Sequence, residues 1–457
     1  MTFLLYVIFA AVAALFLSLK TDRKVLSFVL IFWLLAQPVL NAKYIIPLPG
    51  LPFELQPNRI LFLFSLGYLF LGLLSRKQAS DGATPPFEKY IYIYFVLVMV
   101  VLLLNHSFMI WKSVIAIPIE IATFLTVYTV AKRYMTEKMF EAILKAIIFL
   151  AVIGALVAIV QITEDKMFLR TGDLRSAFGN KLRSTGIFQS EYDFGYFQIL
   201  AVIVSFVRYR GKAIRLLIAP LLMLSLLLTF HRLDYIILFV CAFSYLVFFS
   251  NRKVPLPIYV VGGVLGILLL FLSFYIFQSM GGRSAVVEER LKQNTVSGRF
   301  LQYQLVAKSM LAHPLGLGSY DHPDYVALMN KHGMVVWFTD QDGGNSYTKP
   351  LTVHNGYLAA GIQYGILGMV VFTALVFSMF RYFRKQINPE FPYSLVPFYA
   401  VVIYALSNIS NSVSIFRAYF VVLLAILGGA SIAMQRGALA KKQSVSTAED
   451  GFKGRFA

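Results

Sequence analysis

Charge is scarce in this sequence. Asp, Glu, Lys and Arg make up 14% of the 457 residues, and apolar residues make up 58%. A soluble domain carries about 25% charged residues, so a water-soluble globular body is excluded. Acid is scarcer than base, with 22 Asp and Glu against 41 Lys and Arg, a formal charge of +19. Cysteine is nearly absent: Cys241 stands alone inside an apolar run, which excludes an intramolecular disulfide and leaves the thiol a packing role. The first apolar stretch, residues 1–19, lacks the basic n-region and small-residue cleavage site of a signal peptide, so it is expected to stay as a helix. No repeat relates the two halves, which counts slightly against a transporter.

Long apolar runs are what the sequence has instead. They fall at about 2–19, 25–40, 60–74, 90–104, 110–131, 140–161, 194–207, 216–230, 235–249, 256–277, 354–380, 395–406 and 415–434. The fold class expected is all-α: a polytopic membrane bundle of about 12–13 transmembrane helices, with one large outer loop containing short helices. The domain expected is 1–440, followed by a disordered cytoplasmic tail over 441–457.

The basic residues punctuate these runs: Lys20/Arg23/Lys24, Arg76/Lys77, Lys132/Arg133/Lys138, Arg208/Arg210/Lys212/Arg215, Arg252/Lys253, Arg381/Arg384/Lys385 and Arg436/Lys441/Lys442. With thirteen spans all seven turns fall on one side, and the positive-inside rule makes that side cytoplasmic. The net charge therefore points to anionic lipid headgroups as partners and not to nucleic acid.

Two long segments face the other side, residues 162–193 and 278–353. Within the second, residues 298–312 read as an amphipathic helix with Phe300, Tyr303, Ala307, Met310 and Leu311 on one face. Ser297 is expected to cap it, and His313-Pro314 to end it. Asp340-Gln-Asp342-Gly-Gly-Asn is turn chemistry. Its two aspartates read as part of that turn ahead of any metal role, and His313, His322 and His332 have no metal-ligand spacing. No metal and no cofactor is expected.

His354 and Asn355 stand at the mouth of the next span. His354, Gly361, Gly365 and Gly368 share one helical stripe, the pattern of a face on which another helix packs closely. One reading of His354 is a capping or interfacial histidine. The other is a general base, kept neutral by the helix N-terminus, with Asn355 holding a hydroxyl or orienting the ring. Outer arginines accompany it: Arg175, Arg183, Arg232, Arg283, Arg290, Arg299 and Arg417. Individually each reads as a lipid-phosphate contact. As a set they suit an anionic substrate, because the guanidinium fork contacts phosphate oxygens bidentately and stays charged. In Thr229-Phe-His231-Arg232-Leu-Asp234 the charged groups pair among themselves, or Arg232 reaches the cavity of His354. Glu120 is an acid inside a span, with no obvious partner in Lys112.

The His-Asn start of a late span, Gly365-x-x-Gly368, Ser297-Gly-Arg299, His313-Pro-Leu-Gly316-x-Gly318 and the Thr229 to Arg232 turn resemble the O-antigen polymerase and O-antigen ligase superfamily of bacterial polysaccharide assembly. His231 stands where that family more usually has serine. The resemblance covers about residues 175–370. It implies an inverting, metal-independent membrane glycosyltransferase of the cell inner membrane, multi-pass, with its site facing the periplasm. The donor implied is a glycan on undecaprenyl diphosphate, and the acceptor is another glycan or lipid A core. A chain-length regulator and a flippase of the same assembly pathway are the implied protein partners. By the same resemblance His354 becomes the catalytic base, with Arg232 and Arg299 on the diphosphate. Arg175, Arg183, Asn355, Arg417 and Tyr320 become substrate contacts. Arg175 and Gly186 have a spacing described in some polymerases, and polymerase is the preferred reading. Ligase is the alternative. A lipid-linked glycan flippase ranks behind both, because the ionisable residues cluster at outer ends and in a long loop instead of at mid-span.

Overall fold

The computed structural model describes residues 2–43, 46–47, 54–74, 84–105, 111–170, 176–178, 181–209, 212–248, 296–320, 322–339, 346–350, 353–388, 391–410 and 419–453. The described residues form fourteen α-helices. Nine precede the longest gap: α1 (Thr2–Ser18), α2 (Lys24–Lys43), α3 (Pro57–Leu74), α4 (Glu88–Leu104), α5 (Trp111–Tyr134), α6 (Glu137–Thr163), α7 (Glu191–Arg208), α8 (Arg215–Leu227) and α9 (Arg232–Phe248). Five follow it: α10 (Val296–Ala312), α11 (Pro323–Lys331), α12 (Gly356–Lys385), α13 (Leu395–Ser410) and α14 (Tyr419–Lys453).

Every expected span except 256–277 coincides with one of these helices; that one lies outside the described residues, as do Arg175, Arg283, Arg290, Asp340, Asp342 and Arg417. Among the described residues, five stretches can cross a membrane by length and composition: Pro57–Leu74, Glu137–Thr163, Gly356–Lys385, Pro392–Ile409 and Tyr419–Gly437. Phe3–Ser18, Lys24–Leu40 and Arg215–Leu227 are apolar but shorter. The chain is an integral membrane protein of the all-α class. A helix suits this setting because it satisfies its own backbone where no water can. The lipid-facing surface is visible on α1, where Leu5, Val12 and Phe16 are more than half exposed while Ala10 and Ala14 are buried against α2. In water such a face would be a liability.

Small antiparallel ribbons, which an all-α expectation omits, decorate the connections: Ile46–Pro47 with Glu54–Leu55, Ser176–Phe178 with Lys181–Leu182, and Val335–Thr339 with Ser346–Pro350. The last pair flanks the Asp340–Asn345 stretch read as a turn. α14 runs on to Lys453, because Ala438, Ala440, Lys441, Lys442 and Gln443 are good helix formers.

Most buried side chains belong to one core. α6 lies against α2, α7 and α8, while α13 lies against α7, α9 and α12. A second, smaller core joins Leu305, Val306 and Met310 of α10, Tyr325 and Met329 of α11, and Ala359 and Ile362 of α12. The α10 face differs from the one expected. Gln302, Leu305, Val306, Ser309 and Met310 turn inward, and Phe300 and Leu311 are exposed. The helix also starts at Val296, ahead of Ser297, so Ser297 lies inside its first turn and does not precede it. The inward stripe includes polar Gln302 because it meets the His354 backbone just ahead of α12, which a count of apolar residues does not register.

Polar contacts fix which helix ends share a level. Lys132 Nζ meets the buried Glu88 at 2.7 Å, Lys138 meets Asp22 at 2.9 Å, and Arg208 meets Glu141 at 3.8 Å and the Tyr393 hydroxyl at 3.3 Å. Four of the basic turns therefore lie near one end. Since α7 runs antiparallel to α13, and α13 to α12, the N-termini of α7, α9 and α12 gather at the opposite end. Ser244 to Tyr399 at 3.3 Å and Asn355 to the Ile409 carbonyl at 2.9 Å confirm the pairing.

Candidate active site

Three chain segments meet at the head of α7. Gln161, near the end of α6, is the clamp. Its amide nitrogen donates to the carbonyls of Phe168 and Gly186 at 2.9 and 2.7 Å, and its oxygen accepts from the Ser184 hydroxyl and the Thr185 N–H at 2.9 and 3.1 Å. A buried amide with all of these contacts satisfied is costly to disturb. The clamped loop carries Arg170 and Arg183. Arg170 is buried, donates to the Arg183 carbonyl at 2.8 Å and to the Lys166 carbonyl at 2.9 Å, and its Nη1 has no hydrogen-bond partner among the described residues. Arg183 Nη1 lies 3.1 Å from the buried Glu191. Ser184 N–H then donates to the Leu228 carbonyl at 3.1 Å, which ties the loop to the turn between α8 and α9.

That turn holds His231 Nδ1 at 2.7 Å from Asp234, so two of its charged groups do pair with each other. Arg232 reaches solvent. The protein around it lowers its proton affinity, and the like charge of Arg183 lowers it further, which places the two guanidinium groups within electrostatic reach. Burial likewise lowers Arg170, opposed by Glu191. Among the described non-glycine residues, Leu169 and Phe230 have positive φ, at 49° and 50°. Each directly precedes a member of this cluster. Strained backbone of this kind persists only where its surroundings hold it.

His354 is mounted differently. It lies just ahead of α12, and Asn355 is the N-cap, its oxygen accepting from the Leu358 N–H at 3.0 Å. The Asn355 amide nitrogen is spent on the Ile409 carbonyl, so this side chain anchors α12 to α13. The His354 carbonyl accepts from the Tyr303 hydroxyl at 3.0 Å, and its N–H donates to Gln302 at 3.4 Å. Arg299 is exposed one turn ahead of those two residues on the same face of α10.

The expected glycine stripe is interrupted. Tyr364 and Gly365 leave helical geometry, with Gly365 at φ 76° and ψ 177°, so α12 is kinked. The kink frees backbone groups that the loop after α10 takes up: Leu317 N–H donates to the Ile362 carbonyl at 2.9 Å, Gly318 N–H to Gln363 at 2.8 Å, and Ile366 N–H to Pro314 at 3.1 Å. Gly316 and Gly365 face each other backbone to backbone, leaving no room for a Cβ on either. His313-Pro-Leu-Gly316-x-Gly318 is thus a plug for the kink at Gly365, while Gly361 meets Met310 of α10 and Gly368 lies near Leu97 of α4, so helices pack on the rest of the stripe as expected. Tyr320 follows the plug and packs 5.7 Å from the Tyr325 ring.

His313 Nε2 and His322 Nδ1 approach Asp324 at 3.3 and 3.9 Å, and His322 caps α11, its proton affinity lowered mainly by burial. Among the described residues no three His, Cys, Asp or Glu are grouped to hold a metal. Glu120 is half-buried in α5.

The two clusters occupy one end of the bundle with α13 between their helices. Sequence reasoning did not single out Gln161, Glu191 or Gln302, and read Tyr303 as part of an apolar helix face. A glutamine near the end of an apolar run, and an acid directly after the Ser190 cap, are the signals for the first two.

No curated protein matches the chain. A model of the family described as O-Antigen ligase matches residues 216–373, which contain His231, Arg232, Arg299, Tyr320, His354 and Asn355 and leave out Arg183. Over that stretch the chain is similar to the O-antigen ligase family, and the resemblance to the O-antigen ligase and polymerase superfamily read from its motifs holds.

Proposed function

We propose that the chain is a glycosyltransferase that polymerises undecaprenyl-diphosphate-linked oligosaccharide repeat units at the periplasmic face of the inner membrane. One observation carries this reading: His354 and a surplus of arginine lie at the same end of a membrane bundle, opposite the basic turns. A sugar C1 bearing a diphosphate is already activated. Transfer needs a base for the acceptor hydroxyl and positive charge for the leaving group. His354 is the base, and Arg232, Arg183 and Arg299 hold the diphosphate. Arg175, Arg417 and Tyr320 complete the substrate contacts, and Asn355 holds the mouth of α12 in place for them. The matched family's own description favours a second reading, in which the acceptor is lipid A core and the enzyme is a ligase.

His354→Ala and Arg232→Ala are each expected to abolish long-chain surface glycan, with protein level and lipid-linked single units unchanged. Normal chain length in both variants sinks the reading. In a deletion strain, core carrying one repeat unit identifies a polymerase, and polymer stranded on undecaprenyl diphosphate identifies a ligase.

A further inference from the structure

The turn between α8 and α9 holds a group that glycosyl transfer by His354 and the arginines leaves without a task. His231 Nδ1 meets one oxygen of Asp234 at 2.7 Å, and the Thr229 hydroxyl donates to the other at 3.3 Å. Asp234 is fully buried. Its carboxylate lies against Gly195 of α7, where any Cβ would collide with it. A carboxylate in such a place is costly unless it is paired, and a histidine that merely packs does not require one. A carboxylate on Nδ1 sets the tautomer, supports positive charge on the ring and leaves Nε2 to exchange a proton. Tyr192 and Tyr196 stack edge-on to the ring at 4.5 and 6.4 Å.

The charged and titratable groups around it are Arg232 and Tyr235 on its own element, Arg183 in the clamped loop, and Glu191, Tyr192, Asp193 and Tyr196 on α7. α13, packed on α9, carries no charged residue.

We infer that His231 delivers the Nε2 proton to the diphosphate oxygen that departs from the donor sugar. This rests on the glycosyl-transfer reading above. The C1–O bond breaks, its electron pair stays on the diphosphate oxygen, and the proton moves to that oxygen, leaving a neutral imidazole on Asp234. The acceptor oxygen bonds to C1, and its proton passes to His354, so no proton is gained or lost over the step. Arg232 and Arg183 carry the remaining negative charge of the leaving group. The Asp234 carboxyl, in the turn ahead of the apolar run of α9, is pushed up to about 6 by burial, with the His231 and Thr229 contacts pulling it down. The support for the ring is therefore lost in acid.

The test uses full-length protein in lipid vesicles with an undecaprenyl-diphosphate-linked oligosaccharide as donor. His231→Gln is expected to lower kcat on the order of 10²-fold while the donor KM stays within about threefold. It should also erase the limb of the kcat profile that falls as pH rises, since an acid must be protonated to act. Asp234→Asn should move that limb to lower pH, because the ring loses its counter-charge. An unchanged kcat and limb in His231→Gln, or a loss confined to KM, overturns the proposal. If His231→Gln does not accumulate, an unmoved limb in Asp234→Asn overturns it instead. Absence of transfer by the wild-type protein removes the glycosyl-transfer reading itself, whereas wild-type transfer with an indifferent His231→Gln removes only the proton donor.

Discussion

The arginine cluster and His354 share one end of the bundle but stand on different foundations. Arg170, Arg183 and the α8–α9 turn are fixed to the main core by side chains: the Gln161 amide, the Arg183–Glu191 ion pair and the His231–Asp234 pair. His354 is held through its backbone, by Gln302 and Tyr303 of a helix that belongs to the smaller second core. Both of its backbone groups are engaged. The two cores meet along α12, where Ala359 and Ile362 belong to the second and Ala360 and Tyr364 to the first. A site divided this way can fail in either half alone. Donor affinity should follow mainly the first foundation, which carries Arg183 and Arg232, and turnover the second, with proton delivery by His231 as the exception.

The kink lock is where the halves separate most sharply. Gly365 occupies a region of φ and ψ that essentially only glycine adopts, and its missing Cβ would strike the backbone of Pro314 and Leu315. Backbone cannot move aside as a side-chain tip can, so Gly365→Ala should displace the plug and with it the α10 mount of His354. A misplacement near 1 Å costs about 10²-fold in rate. The expectation is a kcat loss of that order with donor affinity retained, measured as kcat against the dissociation constant of undecaprenyl diphosphate in the same preparation. Equal loss in both would mean that the two foundations are one. The opposite break is Arg183→Lys. Lysine preserves charge for the buried Glu191 but not the planar fork, so KM for donor should rise roughly tenfold, the loss of about one charged hydrogen bond, while kcat holds. A change in kcat alone would take Arg183 out of the donor site.

What could be read from the sequence follows the same division. The helices were legible because apolar runs in a bilayer have one stable solution, and the gathering of basic turns followed from charge. His354, Arg183 and Arg232 stood out as polar residues at the ends of such runs. The kink did not. Gly361, Gly365 and Gly368 at regular spacing look like a contact stripe whether or not the helix between them is broken, and only the backbone of residues 314–318 decides it. The inward face of α10 was misread for a related reason. Gln302 turns inward because it meets the His354 N–H, and hydrophobicity alone cannot register a partner distant in the chain. Gln161 is a further case, a single amide whose meaning comes from four atoms in a loop up to 25 residues away.

The smallest effect is the one that sharpens the comparison most. Tyr303 meets His354 at its carbonyl, through a 3.0 Å hydrogen bond. Tyr303→Phe keeps the ring and removes that donor, leaving a carbonyl at a half-buried mouth where water can partly replace it. The net value of such a bond is about 1 kcal/mol, so turnover should fall roughly fivefold through a looser base, with donor KM and thermal stability close to wild type. The conservative variant is informative because its loss cannot be charged to a cavity or to an unpaired ion. A fall in donor affinity in place of kcat would place Tyr303 in the anion site and unite the two foundations. An unchanged protein would mean that Gln302 and the Asn355 cap suffice to hold His354.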